Sequence, residues 1–200
     1  MPESPDSPEH ADQMADSDPD LELLERSREG DREAFRELYT RYYHPLMRFI
    51  YRMTGQLELA QEAVNDVMLV LWKNGDSFAG RSKLSTWIMG IAYRKALKQL
   101  EKARRWSDRH KQVDFSEWHE PSAARPELTT DLRDLLEHGI KQLPLKQRAV
   151  VELTYYYGYS YEEIAAIVDC PVNTVKTRMF HARAKLKAAL PGLGLGEGER

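Results

Sequence analysis

Near the C-terminal end of the chain, polar, cationic and aromatic residues recur at the spacing of one helix face. These residues are Asn173, Lys176, Thr177, Phe180 and His181. At about 100° per residue they lie opposite an apolar row that runs from Val175 to Leu186. Side chains of these types can read base edges in a major groove. The pattern therefore predicts a helix that packs by one face and binds duplex DNA by the other.

The element that must position this helix comes directly before it in the sequence. Ser160 followed by Glu163 forms a capping box, which predicts the start of a short helix. Asp169-Cys170-Pro171 then interrupts the pattern, because proline is tolerated only at the start of the next helix. An amphipathic helix with a solvated basic face is the usual meaning of such a pattern in isolation. The capped partner and the short turn favour a helix-turn-helix instead.

The distribution of charge suggests a polyanionic partner. The formal net charge is −3, but nine of the 32 Asp and Glu residues lie in residues 1–25, which contain no Lys or Arg. The rest of the chain carries 29 basic residues against 23 acidic ones. The folded part is thus predicted to be basic and the N-terminus acidic, an asymmetry that suggests a polyanionic partner without identifying it.

Several classes of protein are excluded by what the sequence lacks. No apolar run approaches a membrane span and no signal-peptide pattern is present, so we expect a cytoplasmic protein without membrane insertion. The single cysteine, Cys170, excludes a disulfide framework. Phosphate loops, nucleophile elbows and metal-spaced clusters are missing, and Cys170 and His181 do not form a dyad. The sequence therefore predicts no catalytic residues, no cofactor and no metal site.

The N-terminal half reads as an acidic tail followed by helices. Residues 1–18 are rich in Pro, Ser, Asp and Glu and are predicted to be disordered. Apolar residues at helical spacing then predict helices over residues 21–30, 31–53 and 56–74. On the third of these, Glu62, Asn65 and Asp66 point outward. From spacing alone, Glu62 and Asp66 indicate a solvated acidic edge.

A loop with an unusual aromatic residue leads into a basic helix. Residues 75–83 contain two glycines, Arg81, Lys83 and also Phe78. Residues 84–105 then form a fourth predicted helix, which holds Trp87 near its start. Residues 94–111 contain eight Lys or Arg and two Asp or Glu. Cations beside aromatic rings suit a path for single-stranded nucleic acid, and a solvated basic helix end is an equally consistent interpretation.

The remaining segments complete an all-α prediction with two small domains. Residues 106–127 lack periodicity and are predicted to form a flexible linker. Helices follow over residues 128–143 and 144–157, ahead of the helix-turn-helix. Residues 191–200 form a glycine-rich tail.

Two blocks of the chain match a known family. The first, residues 31–102, contains AFRELYTRYYHPLMRFIYRMTG, LAQEAVNDVMLVLW and SKLSTWIMGIAYRKAL. The second, residues 143–186, contains LPLKQRAVVELTYYYGYSYEEIAAIVDCPVNTVKTRMFHARAKL. The chain resembles bacterial RNA polymerase sigma factors of the sigma-seventy family, in the extracytoplasmic-function (ECF) class. The resemblance lies in these motifs, in their order and in the linker between the two blocks.

The resemblance implies a role for each domain. Residues 19–105 would bind core RNA polymerase and melt the minus-ten element, and residues 128–190 would read the minus-thirty-five element as duplex. The residues implied to face polymerase are Glu62, Asn65 and Asp66. Those implied to hold the minus-ten strand are Phe78, Arg81, Lys83, Trp87, Arg94 and Lys98. Those implied to meet the minus-thirty-five element are Asn173, Thr174, Lys176, Thr177, Phe180, His181 and Arg183. An anti-sigma factor is a further implied partner.

Two other functions fit parts of the sequence. The first is a plain DNA-binding regulator that uses only the helix-turn-helix, and the second is an interaction module that sequesters a partner. The first block, residues 31–102, separates these functions from a sigma factor, because a regulator of duplex DNA has no need of a loop and an aromatic basic helix for single strands.

Overall fold

The computed structural model describes residues 18–109 and 130–189. Within these ranges the chain is helical and contains no strand, which confirms the all-α prediction. The helices are α1 (Pro19–Arg28), α2 (Arg32–Thr54), α3 (Leu57–Asn74), a short 3-10 helix (Gly75–Ser77), α4 (Leu84–Arg109), α5 (Thr130–Lys141), α6 (Leu145–Tyr155), α7 (Tyr161–Val168) and α8 (Val172–Ala189). The predicted acidic tail, apart from Asp18, and the C-terminal tail lie outside the described residues, as does most of the predicted linker.

Local capping explains where the first helices begin and end. Asp18 Oδ1 accepts a hydrogen bond from the backbone N–H of Asp20 at 3.1 Å at the start of α1. Asp31 does the same for α2, accepting from the N–H groups of Glu33 and Ala34 at 2.9 and 3.1 Å. Gly55 ends α2 with a φ of 71°, a left-handed conformation that glycine adopts without strain.

The N-terminal helices enclose an apolar core. Helices α2, α3 and α4 pack against one another, and α1 lies across α2. The fully buried side chains of this core include Leu24, Leu38, Leu46, Phe49, Ile50, Met53, Val64, Leu71, Leu84 and Ile88. Their spacing along each helix is the three-to-four-residue repeat of an amphipathic helix, so burial of one face fixes how each helix is rotated.

The C-terminal helices form a second group around α6. Helices α7 and α8 both pack on α6, and α5 contacts α6 and α8. The buried side chains here include Ile140, Val150, Val151, Leu153, Ile164, Ile167, Val175 and Met179. Because α6 is apolar on nearly every side at its centre, it can be covered by several helices at once.

The two groups of helices contact each other through polar side chains as well as apolar ones. Arg148 of α6 donates hydrogen bonds to the backbone carbonyls of Arg52 and Met53 at 3.3 and 3.5 Å, and to those of Lys141 and Leu143. Carbonyls in the last turn of a helix lack intrahelical partners, so a cation is well placed there. Arg52 also forms an ion pair with buried Glu152, with 3.4 Å between Nη1 and Oε1. This network joins α2 to α5 and α6.

Helix α4 is longer than the sequence indicated. It ends at Arg109 rather than near residue 105, so its last turn extends into the segment predicted as a linker. In the first group, the candidate polymerase and minus-ten residues lie on α3, on α4 and in the loop between the 3-10 helix and α4. In the described parts of the chain, no helix combines the length and the apolar character needed to cross a membrane.

Candidate nucleic-acid interface

The last helix presents two different faces, as the sequence predicted. Its packed row is buried and consists of Val175, Met179, Ala182 and Leu186. Its opposite face is exposed and consists of Asn173, Lys176, Thr177, Phe180 and His181. Phe180 is 70% exposed, the highest exposed fraction among the large hydrophobic side chains in the described residues. The buried row thus fixes the rotation of α8 and holds the polar and aromatic face outward.

The turn that sets the angle between α7 and α8 is built as the sequence predicted. Ser160 Oγ accepts from the N–H of Glu163 at 3.2 Å, and Glu163 Oε2 accepts from the N–H of Ser160 at 2.9 Å, which completes the capping box. Asp169 ends α7 in the left-handed region with a φ of 50°. The N–H of Thr174 then donates to the carbonyl of Pro171 at 2.8 Å, which starts α8.

Intramolecular contacts already constrain several side chains on the outward face. Thr177 Oγ1 donates to the carbonyl of Asn173 at 2.9 Å. The rings of Phe180 and His181 meet edge to face, with centroids 5.6 Å apart. Thr174 is partly buried beside this face. Arg183 lies at the edge of the face and donates from Nε and Nη2 to the hydroxyl of Tyr155.

A second exposed row lies along α4. Trp87, Arg94 and Lys98 fall within about 40° of one another around the helix axis, because they are spaced by seven and four residues. Arg94 and Lys98 are exposed and Trp87 is partly buried. The described structure therefore places one aromatic ring and two cations in a line, a combination of groups that is also found in sites for single-stranded nucleic acid.

The loop before α4 brings Phe78 to the start of this row. The ring centroids of Phe78 and Trp87 are 5.3 Å apart and the planes are tilted by 55°. Phe78 is partly buried, so one side of its ring packs on the protein. Arg81 is exposed, and Lys83 Nζ lies 3.2 Å from Glu163 Oε1 of α7. The structure thus groups four of the six candidate minus-ten residues, Phe78, Arg81, Lys83 and Trp87, around the N-terminus of α4.

Helix α7 covers the flank of α4 beside this row. Tyr93 is 4% exposed, and burial raises the pKa of its hydroxyl. A Cβ on Gly90 would lie 3.4 Å from Arg94 Nη1 and 3.6 Å from the carbonyl oxygen of Ile167, which are ordinary contact distances, so α7 packs close to α4 here without a need for glycine. Arg94 and Lys98 remain exposed beside α7, which occupies the neighbouring face of α4.

The acidic edge on α3 is paired with cations of α4. Glu62 Oε1 lies 2.9 Å from Lys102 Nζ, and Asp66 Oδ2 lies 3.1 Å from Lys95 Nζ. Hydrogen bonds from Lys102 and then from Gln99 hold the pKa of Glu62 below its ordinary value. Asn65 is exposed between them. The three candidate polymerase residues therefore share one surface, but its two carboxylates are bridged to α4 rather than simply solvated.

Sequence reasoning missed the residues that connect distant helices. Tyr155 and Arg183 are 28 positions apart, and Arg148 is 95 positions from Met53. No periodicity within one helix signals such pairs. The sequence around Arg148 offered little signal, because Lys146 and Gln147 precede it and the apolar run of α6 begins only at Ala149.

Two family models match the chain, and they match it in the regions just described. Residues 38–106 match the family described as sigma-70 region 2, and residues 133–186 match sigma-70 region 4. The first match spans α2 to α4, with the acidic edge and the exposed row. The second spans α5 to α8, with the helix-turn-helix.

Characterised relatives are similar over nearly the whole chain. The RNA polymerase sigma-H factor of Pseudomonas aeruginosa is 31% identical over 189 residues, covering 90% of this chain and 98% of the relative. The ECF RNA polymerase sigma-E factor of Escherichia coli is 33% identical over 179 residues, covering 85% of this chain and 93% of the relative.

Solved structures share the fold. A sigma factor RpoE, solved in complex with the anti-sigma factor NepR from Bartonella quintana, superposes with a TM-score of 0.65, at 24% identity over 78% of this chain and 95% of that one. CnrH, solved with the cytosolic domain of CnrY, gives a TM-score of 0.61 at 22% identity over 84% of this chain and 95% of its own. The matches to both sigma-70 regions and to full-length relatives lead to one conclusion: the chain belongs to the sigma-70 family of RNA polymerase sigma factors, in the ECF class.

Proposed function

We propose that this sigma factor binds core RNA polymerase, directs it to promoters with two recognition elements, and promotes melting of the DNA where transcription begins. One observation carries the proposal. The same chain holds an exposed aromatic and basic row on α4 and an outward-facing recognition helix, α8. The two surfaces suit different forms of DNA, because the first fits an unpaired strand and the second fits a duplex groove.

Helix α8 reads the minus-thirty-five element in this account. Lys176 donates to guanine acceptors, Thr177 contacts a base edge or a phosphate, and Phe180 touches a thymine methyl. Asn173, Thr174 and His181 complete the contact surface. Arg183 lies at its edge and binds a phosphate, which positions the helix without reading sequence.

The start of α4 captures the minus-ten strand. Phe78 and Trp87 offer ring faces on which unstacked bases can stack, and Arg81 and Lys83 lie close enough to neutralise nearby phosphates. Arg94 and Lys98 continue the path along the helix. The protein drives melting by trapping unpaired bases, so it forms no covalent bond and we assign it no enzymatic activity.

The surface of Glu62, Asn65 and Asp66 is assigned to polymerase. Its carboxylates are held in place by Lys95 and Lys102, so they meet a partner in fixed positions. We further assign the chain a cytoplasmic location, where polymerase acts, and an anti-sigma factor as regulator. Support for the regulator comes from fold similarity to the sigma factor RpoE, whose structure was solved with the anti-sigma factor NepR.

The two proposed functional domains have the limits that the sequence predicted. Residues 19–105 act on polymerase and the minus-ten element, and residues 128–190 act on the minus-thirty-five element. The rival function, a regulator that binds duplex DNA alone, does not account for the match to sigma-70 region 2 or for the row on α4.

The test is transcription in vitro with purified core polymerase and genomic DNA, followed by mapping of RNA 5′ ends. We expect start sites that depend on the chain and share two upstream sequence blocks. If no transcript depends on the chain while the chain alone binds duplex sites, the regulator is correct and the sigma role is wrong.

A further inference from the structure

A hydrogen-bonded contact at the edge of the outward face of α8 joins α8 to α6. Tyr155 is the last residue of α6, and its side chain is 49% exposed. Its hydroxyl oxygen accepts two hydrogen bonds from Arg183, one from Nε at 3.1 Å and one from Nη2 at 2.9 Å. The guanidinium carbon lies 6.0 Å from the ring centroid, at the outer limit of a cation–π contact.

From this contact we infer that Tyr155 is a positioning residue for DNA binding, because it holds the guanidinium of Arg183 in the orientation that meets a phosphate. The inference rests on the proposed function, in which Arg183 binds a phosphate beside the minus-thirty-five bases. It assigns a role in DNA binding to α6, in addition to its packing against α8 and its polar contacts with α2 and α5.

The chemistry of the acceptor supports this role. Two other cations at the proposed interfaces, Lys83 and Lys95, pair with the carboxylates of Glu163 and Asp66. A carboxylate partner reduces the net attraction of its cation for a phosphate. The hydroxyl of Tyr155 is a neutral acceptor, so it fixes the direction of the guanidinium and leaves the positive charge available to a phosphate.

The geometry leaves the guanidinium with donors for DNA. A guanidinium carries five N–H groups in a planar fork, and two of them point at the Tyr155 hydroxyl. The other three include both N–H groups of Nη1, which suit the oxygens of a phosphate.

The helices that carry Tyr155 and Arg183 are held firmly against each other. Helices α6 and α8 pack directly on each other, with Leu153 and Ala182 fully buried close to the two residues in sequence. A long arginine side chain normally loses rotamer freedom when it binds a ligand. Arg183 has lost much of that freedom before DNA arrives, so its immobilisation opposes binding less.

A double-mutant cycle tests the inference. The variants are Tyr155→Phe, which removes only the hydroxyl, Arg183→Ala, and the two combined. Each is assembled with core polymerase and titrated with a promoter duplex taken from the mapped start sites. Binding is measured over a series of NaCl concentrations and on a panel of minus-thirty-five variants. The melting midpoint of each free protein is recorded alongside.

We expect Tyr155→Phe to weaken binding about threefold to tenfold on every sequence alike, as loss of preorganisation of one side chain predicts. The salt slope should not change, because the charge remains. In the Arg183→Ala background, Tyr155→Phe should have no further effect. Arg183→Lys, which keeps the charge but lacks the planar fork, should also remove the dependence on Tyr155.

Failure of the proposed function and failure of the inference about Tyr155 give different results. If Arg183→Ala binds DNA as the wild type does, the phosphate contact in the proposed function is wrong. If Arg183→Ala weakens binding but Tyr155→Phe does not, the positioning role of Tyr155 is wrong. An equal loss from Tyr155→Phe in both backgrounds, with or without a lower melting midpoint, also overturns it.

Discussion

Lys83 and Glu163 form an ion pair between the loop before α4 and the first turn of α7, with 3.2 Å between Nζ and Oε1. The other carboxylate oxygen of Glu163 accepts the N–H of Ser160 in the capping box. One carboxylate therefore completes the capping box at the start of α7 and also links α7 to the loop before α4. Its stability contribution should depend on pH.

The first prediction concerns this pH dependence. The Ser160 N–H and, to a smaller extent, Lys83 lower the pKa of Glu163. A carboxyl with a lowered pKa stabilises the fold above its unfolded pKa, and that contribution is lost as the pH falls through the folded value. Wild type should therefore unfold at a higher temperature than Glu163→Gln at pH 7, and the difference should shrink below about pH 4.5. A difference in melting temperature that is constant from neutral to acid pH would rule out this origin.

The second prediction concerns the polymerase surface. Glu62→Lys with Asp66→Lys should weaken binding to core polymerase, since two carboxylates become cations and Lys95 and Lys102 lose their partners. The Glu62–Lys102 pair is exposed and the Asp66–Lys95 pair is only partly buried, so the melting temperature should change little. The matched control is Glu33→Lys with Glu37→Lys on α2, which changes the net charge equally and should bind normally. Pull-down with core enzyme distinguishes them, and equal binding by both double variants would remove the polymerase assignment.

The third prediction separates base readout from phosphate binding on α8. Lys176→Ala should cost about 1–3 kcal/mol at one base position and relax the preference there. Arg183→Ala should weaken all sequences alike and lower the salt slope by about one. Titration of both holoenzymes against a panel of minus-thirty-five variants measures this. An even loss across the panel for Lys176→Ala would move that residue to the phosphates.

The fourth prediction concerns the contact between the two groups of helices. Arg148→Met should destabilise the fold by about 2 kcal/mol, because it leaves the carbonyls of Arg52 and Met53 without a charged donor. Arg148→Lys should recover only part of this loss, since the three donors of an ammonium share one nitrogen and cannot span the carbonyls that Nη1 and Nη2 of Arg148 reach separately. Chemical denaturation measures both. A change below about 0.5 kcal/mol for Arg148→Met would mean that the network adds nothing to stability.

Features governed by a single helix were predictable from the sequence. The buried row from Val175 to Leu186 follows from the 3.6-residue repeat. Likewise, the Ser160 capping box and the Gly55 helix end follow from local hydrogen bonding and from the conformations that glycine permits. These rules act over a few residues, so the sequence displays them directly.

Features that join distant helices were not predictable. These features are the partners of Glu62, the Arg148 network and the Tyr155–Arg183 pair. Each depends on how its helices pack together, and that packing follows from the sum of many apolar contacts. The outward direction of Glu62 and Asp66 was correct, but their cations lie 29 to 40 residues away along the chain. The sequence could therefore locate the candidate surfaces but not the contacts that hold their side chains.

The central claim is that the start of α4 captures melted DNA, and permanganate footprinting at a mapped start site tests it most directly. The comparison is Phe78→Ala against Phe180→Ala, with the footprint normalised to the amount of bound holoenzyme. Phe78→Ala should bind the promoter but open a smaller fraction of it, by about the 1–3 kcal/mol of one stacked base. Phe180→Ala should bind less and open a normal fraction of what it binds. If Phe78→Ala opens the bound promoter as fully as the wild type does, Phe78 only packs against Trp87 and the claim is contradicted.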